Sequence, residues 1–210
     1  MRRVTACAAV FVGVLWTNTS CAHAQQAPKP PKPQPAPALM LAPLAGAPIA
    51  VLPVTYLVAD SGIAGLPATR AGRVAWADSV LEEAFLSRGP EAKWIWPAEL
   101  RRIARRAPGM VADPDQMGQS VMRSPNLKKV FDPLLANLRS LVAMTNGRFV
   151  MIPAEIRFTN GAGGVTAEMT LVLADARSGS VAWRSVPIAT ATTASAALAA
   201  TVAWILPDQH

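Results

Sequence analysis

The chain has 210 residues, 51% of them hydrophobic and 16% charged, with a formal net charge of +7. This composition is typical of a packed globular protein and excludes a largely disordered chain. Because Cys7, Cys21 and His23 lie in the first 25 residues, the remainder has only His210, which excludes nucleophilic triads and zinc sites with nitrogen or sulfur ligands there.

The first 24 residues have the three parts of a secretory signal. Residues 1–3 are basic, residues 6–16 are apolar, and residues 22–24 form a small-x-small cleavage site. We therefore expect cleavage after Ala24, export to the periplasm or secretion, and no transmembrane span in the mature chain. Lipidation of Cys21 is the alternative, but Asn18 stands where leucine is usual.

Residues 25–48 contain eight prolines interleaved with alanine and lysine, which predicts a semi-rigid polyproline linker. The folded domain then covers residues 49–208. Four positive charges lie outside it, on Arg2, Arg3, Lys29 and Lys32, which reduces the net charge from +7 to +3. That excess is too small to indicate nucleic-acid binding.

Residues 49–59 are a nearly continuous apolar run, which predicts a central strand where Pro53 needs a bulge or an unpaired position. Residues 70–88 have helical periodicity, with Val74, Ala77, Leu81, Ala84 and Phe85 facing inward. The loop between them is a usual ligand position in α/β folds, but it lacks the lysine and spacing of a phosphate loop. Its candidate ligand residues are Asp60, Ser61, Gly62 and Gly65.

Residues 92–96 predict a short edge strand, and Pro97 begins a second helix. Four arginines are predicted to face outward from this helix, namely Arg101, Arg102, Arg105 and Arg106. They suit an anionic partner such as lipid head groups or a phosphorylated glycan; the alternative is a solvated surface partly paired with Glu99. Trp94 and Trp96 lie beside them and complete the candidate partner-binding surface.

Asp113-Pro114 and Asp132-Pro133 each predict a capped helix start. The first helix is expected to be short and to end near Met122, and the second to end at Asn146, before Gly147. Asp113, Asp115 and Asp132 are the candidates for a carboxylate-only metal site. Helix capping explains two of them better, so no metal site is predicted.

Residues 148–186 predict three strands joined by two tight turns. In residues 150–158 the even-numbered side is expected to face the core, and Val181 and Trp183 to return to that side. The attraction of Arg157 for Glu168 predicts a register with Phe158 opposite Ala167. Residues 193–206 then predict a closing helix. The fold class is α/β (α+β), one mixed sheet with a C-terminal antiparallel meander and helices packed on it.

The hairpin at residues 171–183, LVLADARSGSVAW, resembles that of envelope proteins related to the curli-secretion protein CsgG, the lipoprotein LpoB and the amino-terminal domain of TolB. The opening at residues 49–54 is similar to their first strand. The resemblance implies a mixed α/β domain used for protein contacts in the envelope, without catalysis. No functional residue carries over from it.

The sequence therefore predicts a non-enzymatic periplasmic or secreted domain that binds an envelope protein or an anionic envelope component, with no cofactor. The alternative is a small-ligand-binding protein or a hydrolase that uses the loop after the first strand. Acid/base chemistry would need carboxylates such as Glu155 and Glu168, which are expected on an exposed strand face, or Asp60, Asp78 and Asp175.

Overall fold

The computed structural model describes residues 37–40, 42–44 and 46–207. The predicted signal, most of the proline-rich linker, Cys21 and His210 lie outside the described residues. Signal cleavage, lipidation and the domain limits at residues 49 and 208 therefore stay predictions.

The described residues form four α-helices and one seven-stranded sheet, which confirms the predicted mixed architecture. The helices are α1 (Arg70–Arg88), α2 (Pro97–Arg106), α3 (Leu134–Thr145) and α4 (Ala194–Ile205). The strands are β1 (Ile49–Val51), β2 (Leu57–Ala59), β3 (Trp94–Ile95), β4 (Phe149–Gly161), β5 (Gly164–Asp175), β6 (Ser180–Ser185) and β7 (Ile188–Ala191). None of the described helices is both long and apolar enough to cross a bilayer.

The strands lie in the order β3-β1-β4-β5-β6, and further along the sheet β2 pairs with β4 and β7 with β5. β1 is parallel to both of its neighbours, β3 and β4. The antiparallel meander is confirmed, with Phe158 opposite Ala167 and Arg157 opposite Glu168. β7 was not predicted, and it adds a fourth antiparallel strand after Pro187.

α1 begins and ends where its sequence pattern predicts. The Thr69 side chain accepts a hydrogen bond from Gly72 N at 3.1 Å, which caps the first turn. At the other end the N–H of Gly89 donates to the carbonyl of Phe85. Four of the five residues expected to face inward are buried, and Val74 is half-buried.

The predicted first strand is interrupted, which corrects the single strand expected over residues 49–59. β1 and β2 both pair in parallel with β4, and residues 52–56 separate them. Proline has no N–H to donate to a ladder, so Pro53 ends regular pairing there. The residues of this break, Val54 and Thr55 among them, become available to line a cleft.

A bulge in β4 corrects the prediction that all the even-numbered residues face one core. Pro153 lies opposite Leu171 and Glu155 opposite Thr170, so Ala154 is the extra residue. One extra residue exchanges the two faces of a strand. Val150 and Ile152 therefore lie on the opposite face of the sheet from Ile156 and Phe158.

A second irregularity affects β6. Trp183 lies opposite Leu173, whereas Val181 lies opposite Ala174, which leaves Ala182 as the extra residue. Val181 and Trp183 consequently pack on opposite faces of the sheet, which corrects the prediction that they share one.

Helices cover the two faces of the sheet unequally. We call the buried residues beneath α1 and α4 the first core, and those beneath α2, α3 and the 3-10 turns the second core. The second core ends near the β4 bulge. Beyond it the same face exposes Val58 (41%) and Ile188 (47%), and no helix among the described residues covers them.

The helix starts at the two Asp-Pro pairs differ from each other. Asp113 caps a 3-10 turn, Pro114–Gln116, which a second 3-10 turn follows, Gln119–Arg123, so the predicted short helix is not α-helical. At the second pair the N-cap of α3 is Pro133 and not Asp132, which corrects the prediction, although the Asp132 carboxylate accepts from Ala136 N at 3.0 Å. The apolar side chains that α3 buries are those of Leu134, Leu138, Leu141 and Val142.

Candidate functional site

A shallow cleft of about 370 Å³ lies where β3, at the edge of the sheet, meets α2. Trp94, Trp96, Arg102 and Arg105 line it, together with Glu82, Ile95, Ala98 and Glu99. The Trp94 and Trp96 ring centroids are 6.0 Å apart. The cleft therefore contains four of the six predicted partner-binding residues, the two tryptophans and two of the four arginines. We call Trp94, Trp96, Arg102, Arg105 and Arg106 the Trp-Arg surface.

The two tryptophans of this surface differ in exposure. Trp94 is buried, packs edge-on against Phe85 with centroids 5.1 Å apart, and donates from Nε1 to the Gly89 carbonyl at 2.9 Å. Trp96 is half-buried. The buried ring therefore fixes the position of the edge strand, and Trp96 offers the greater aromatic area to a partner.

The arginines of α2 do not form one uniform outward face. Arg102 donates to the Glu99 carboxylate at 2.6 Å, which lowers the pKa of Glu99. Arg105 and Arg106 are exposed, and neither is paired with a carboxylate within the part of the chain that the structure describes. They are the cations of the Trp-Arg surface best able to bind an anionic group.

Arg101 points toward α1, which corrects its predicted outward orientation. Its Nε and Nη2 donate to the two carboxylate oxygens of Asp115, both at 2.8 Å. Nη2 also donates to Oδ2 of Asp78 at 3.1 Å. Arg101 is thus a structural link between α2, α1 and the Asp113-capped turn, and it is not in the lining of the Trp-Arg cleft.

Asp78 is the largely buried acid at the centre of this link, with a side chain only 10% exposed. Its Oδ1 accepts from Val54 N at 2.8 Å. Burial raises the pKa of Asp78 to about 6, although the bonds from Val54 and Arg101 act to lower it. The sequence contains a signal for this role, because Asp78 lies among Val74, Ala77, Leu81 and Phe85 on the apolar face of the helix.

A second cleft, of about 580 Å³, lies at the carboxyl end of β1. One wall is the start of α1, and the other is formed by Arg101 and Asp115, with Val54 and Thr55 between them. The predicted ligand loop begins at Asp60, five residues after Thr55, and none of its candidate residues lines this cleft, because the prediction did not include the break of the strand at Pro53.

The predicted ligand loop contacts the end of β4. Asp60 accepts from Asn160 N at 3.0 Å, and Asn160 Nδ2 donates to the Ser61 carbonyl at 3.2 Å. Gly62 and Gly65 both have positive φ, as tight turns require. These contacts give the loop a structural role, and its role in ligand binding stays a prediction.

The remaining candidate carboxylates have local partners. Glu155 pairs with Arg157 at 2.8 Å on the uncovered sheet face. Burial acts to raise the pKa of Asp175, but hydrogen bonds from Arg148, Arg177 N and Ser178 N hold it below its ordinary value. Among the described residues no group of three or more His, Cys, Asp or Glu side chains could hold a metal ion.

Comparisons with known proteins found similar folds only. No protein-family model and no curated protein matches the sequence. Among solved structures, the LpoB C-terminal domain from Salmonella enterica is similar at 10% identity and a TM-score of 0.41, covering 70% of this chain and 84% of that one. E. coli LpoB gives 11% identity, coverage of 88% and 84%, and a TM-score of 0.40.

The PelC dodecamer from Paraburkholderia phytofirmans is also similar, at 17% identity and a TM-score of 0.39, covering 83% of this chain and 95% of that one. At these values the likeness identifies neither a family nor a function for this chain. The resemblance to CsgG and TolB stays a prediction.

Proposed function

We propose that this protein is a non-enzymatic contact domain of the bacterial cell envelope, exported to the periplasm or secreted, which binds an envelope protein through the Trp-Arg surface. The observation that supports it best is the cleft that Trp94, Trp96, Arg102 and Arg105 line together. Tryptophan and arginine are the residue types that most often dominate binding energy at protein interfaces.

The position of this surface also supports the proposal. β3 is two residues long and lies at the sheet edge, and the arginines follow it directly on α2. Arg105 and Arg106 bring exposed positive charge, and neither forms an ion pair with a carboxylate of the described residues. The partner's matching feature is an acidic patch, because attraction between opposite charges speeds encounter and fixes orientation.

Affinity isolation from native envelopes tests the proposal. Replacing both Arg105 and Arg106 with Glu should reduce capture of the partner at least tenfold, since exposed charges that face an acidic patch are reversed. The matched control replaces Lys128 and Lys129 with Glu and should leave capture unchanged. These two lysines are likewise adjacent and exposed, but they lie outside the cleft.

Equal capture by both double variants would contradict the proposal. Capture of anionic lipid or glycan in place of a protein, lost in the arginine variant alone, would retain the surface and contradict the assignment of a protein partner. Trp96→Ala provides an independent test, because it removes aromatic area without changing charge and should also weaken capture.

A further inference from the structure

The cleft at the carboxyl end of β1 is separate from the Trp-Arg surface and is the larger of the two. Its middle is apolar and is formed by Val54, Ala71, Val74 and Ala75. A volume of about 580 Å³ falls within the range of pockets that hold small organic ligands. The apolar middle suits a hydrophobic side chain.

One end of this cleft is positively charged. Arg70, in the first turn of α1, reaches across to the break between β1 and β2, where its Nη2 donates to the Thr55 carbonyl at 3.2 Å. Within the described residues its guanidinium pairs with no carboxylate. A guanidinium has five donors in a planar fork, so Arg70 retains donors for a carboxylate of a ligand.

The opposite end of the cleft, at Arg101 and Asp115, carries a surplus of negative charge. Arg101 is held there by two carboxylates, Asp115 and Asp78, so one cation faces two anions. The three bonds from Arg101 and the bond from Val54 N hold these groups in place without adding a second positive charge. Asp115 lines the cleft and is partly exposed, where it can accept from an ammonium group.

We propose that this cleft binds a short peptide with free termini, its carboxylate on Arg70, its ammonium group on Asp115 and an apolar side chain against Val74 and Ala75. The opposite charges at the two ends of the cleft and the apolar residues between them match such a zwitterion. The assignment does not rest on the proposed envelope contact, because the two sites share no lining residue.

Calorimetric titration of the purified protein with the tripeptide Ala-Leu-Ala at pH 7.5 tests this assignment. Acetylating the amino terminus or amidating the carboxyl terminus should each weaken binding about tenfold, since each removes one charge-assisted hydrogen bond. Asp115→Asn should abolish the effect of acetylation but not that of amidation. Arg70→Gln should do the reverse.

A steric variant keeps the test independent of charge. Ala75→Trp fills the cleft from an exposed position and should abolish binding. Ser87→Trp is the matched control three turns later on α1, also exposed, and should bind as the unaltered chain does. Thermal unfolding of each variant establishes that it is folded.

No binding of Ala-Leu-Ala at millimolar concentration would overturn the assignment. So would tight binding in Ala75→Trp, or effects of acetylation and amidation that persist unchanged in Asp115→Asn and Arg70→Gln. Leucine alone binding as tightly as the tripeptide would contradict the peptide assignment.

Discussion

Asp78 shows how a single, largely buried carboxylate links three elements and makes the stability of the fold depend on pH. It joins α1 to Val54 and to Arg101 of α2, and Asp115 is the other charged group that acts on it. Because burial raises its pKa from 3.8 to about 6, the folded chain binds this proton more tightly than the unfolded chain does. This contribution is therefore fully present below the unfolded pKa of 3.8 and is lost as the pH rises through about 6.

Asp78→Asn tests that sign. Relative to the variant, the unaltered protein should lose roughly 2 kcal/mol of unfolding free energy between about pH 4 and pH 7, at about 1.4 kcal/mol per pKa unit. Denaturant unfolding at intervals across this range measures the difference. Parallel curves for the two proteins would contradict the raised pKa.

Asp175 behaves in the opposite way. It accepts from Arg148, Arg177 N and Ser178 N and so holds the turn between β5 and β6. Since its pKa is lowered, its contribution is present above the unfolded pKa and is lost as the pH falls through the folded one.

Asp175→Ala should therefore cost about 2–3 kcal/mol at pH 7, because it leaves the turn amides and Arg148 without their acceptor. Asp175→Asn should cost less, since the amide oxygen can still accept from the turn N–H groups. Equal losses in the two variants, measured by denaturant unfolding, would show that the hydrogen bonds to the turn contribute little.

At the scale of elements, the four α-helices were predictable, whereas the 3-10 turns after Asp113 and the faces of the strands were not. Periodicity and local capping residues determine α1 and α3, and both are present in the sequence. The faces of β4 and β6 depend on bulges at Ala154 and Ala182, which arise from pairing with another strand. Because one extra residue exchanges the faces, alternation alone could not predict which core each residue joins.

The hairpin between β4 and β5 provides a matched pair of glycines. Gly164 has φ +119, and a Cβ there would overlap the Ala191 carbonyl oxygen, whereas a Cβ on Gly163 meets only Thr190 at 3.8 Å. Gly164→Ala should cost at least about 2 kcal/mol through backbone strain and steric overlap, and Gly163→Ala less than about 1 kcal/mol. Thermal unfolding measures both, and similar costs would contradict this hairpin geometry.

The candidate site was only partly predictable, because local sequence patterns show which neighbouring residues share a surface but not how distant segments pair. Trp94, Trp96, Arg102 and Arg105 are close in sequence, on a strand and the helix that follows it, so local pattern brought them together. The second cleft combines the break at Pro53 with residues of α1, α2 and Asp115. Its components are distant in sequence, and only the sheet pairing shows that they meet.

At the scale of the molecule, unequal coverage of the sheet sets where substitutions are tolerated. Ile152 lies in the second core and is 0% exposed, whereas Ile188 lies on the uncovered continuation of that face and is 47% exposed. Ile152→Ala should cost about 2–5 kcal/mol and Ile188→Ala less than about 1 kcal/mol. Comparable losses in denaturant unfolding would indicate that the second core extends over this entire face of the sheet.

The central claim is that the Trp-Arg surface contacts an envelope partner, and in-cell photo-crosslinking tests it most directly. A photoreactive amino acid at Ala98, an exposed position in the cleft, should form a discrete adduct with one envelope protein. The same group at Asn126, exposed but outside the cleft, should form none. Identical crosslinking patterns at both positions, or no adduct at Ala98, would contradict the claim.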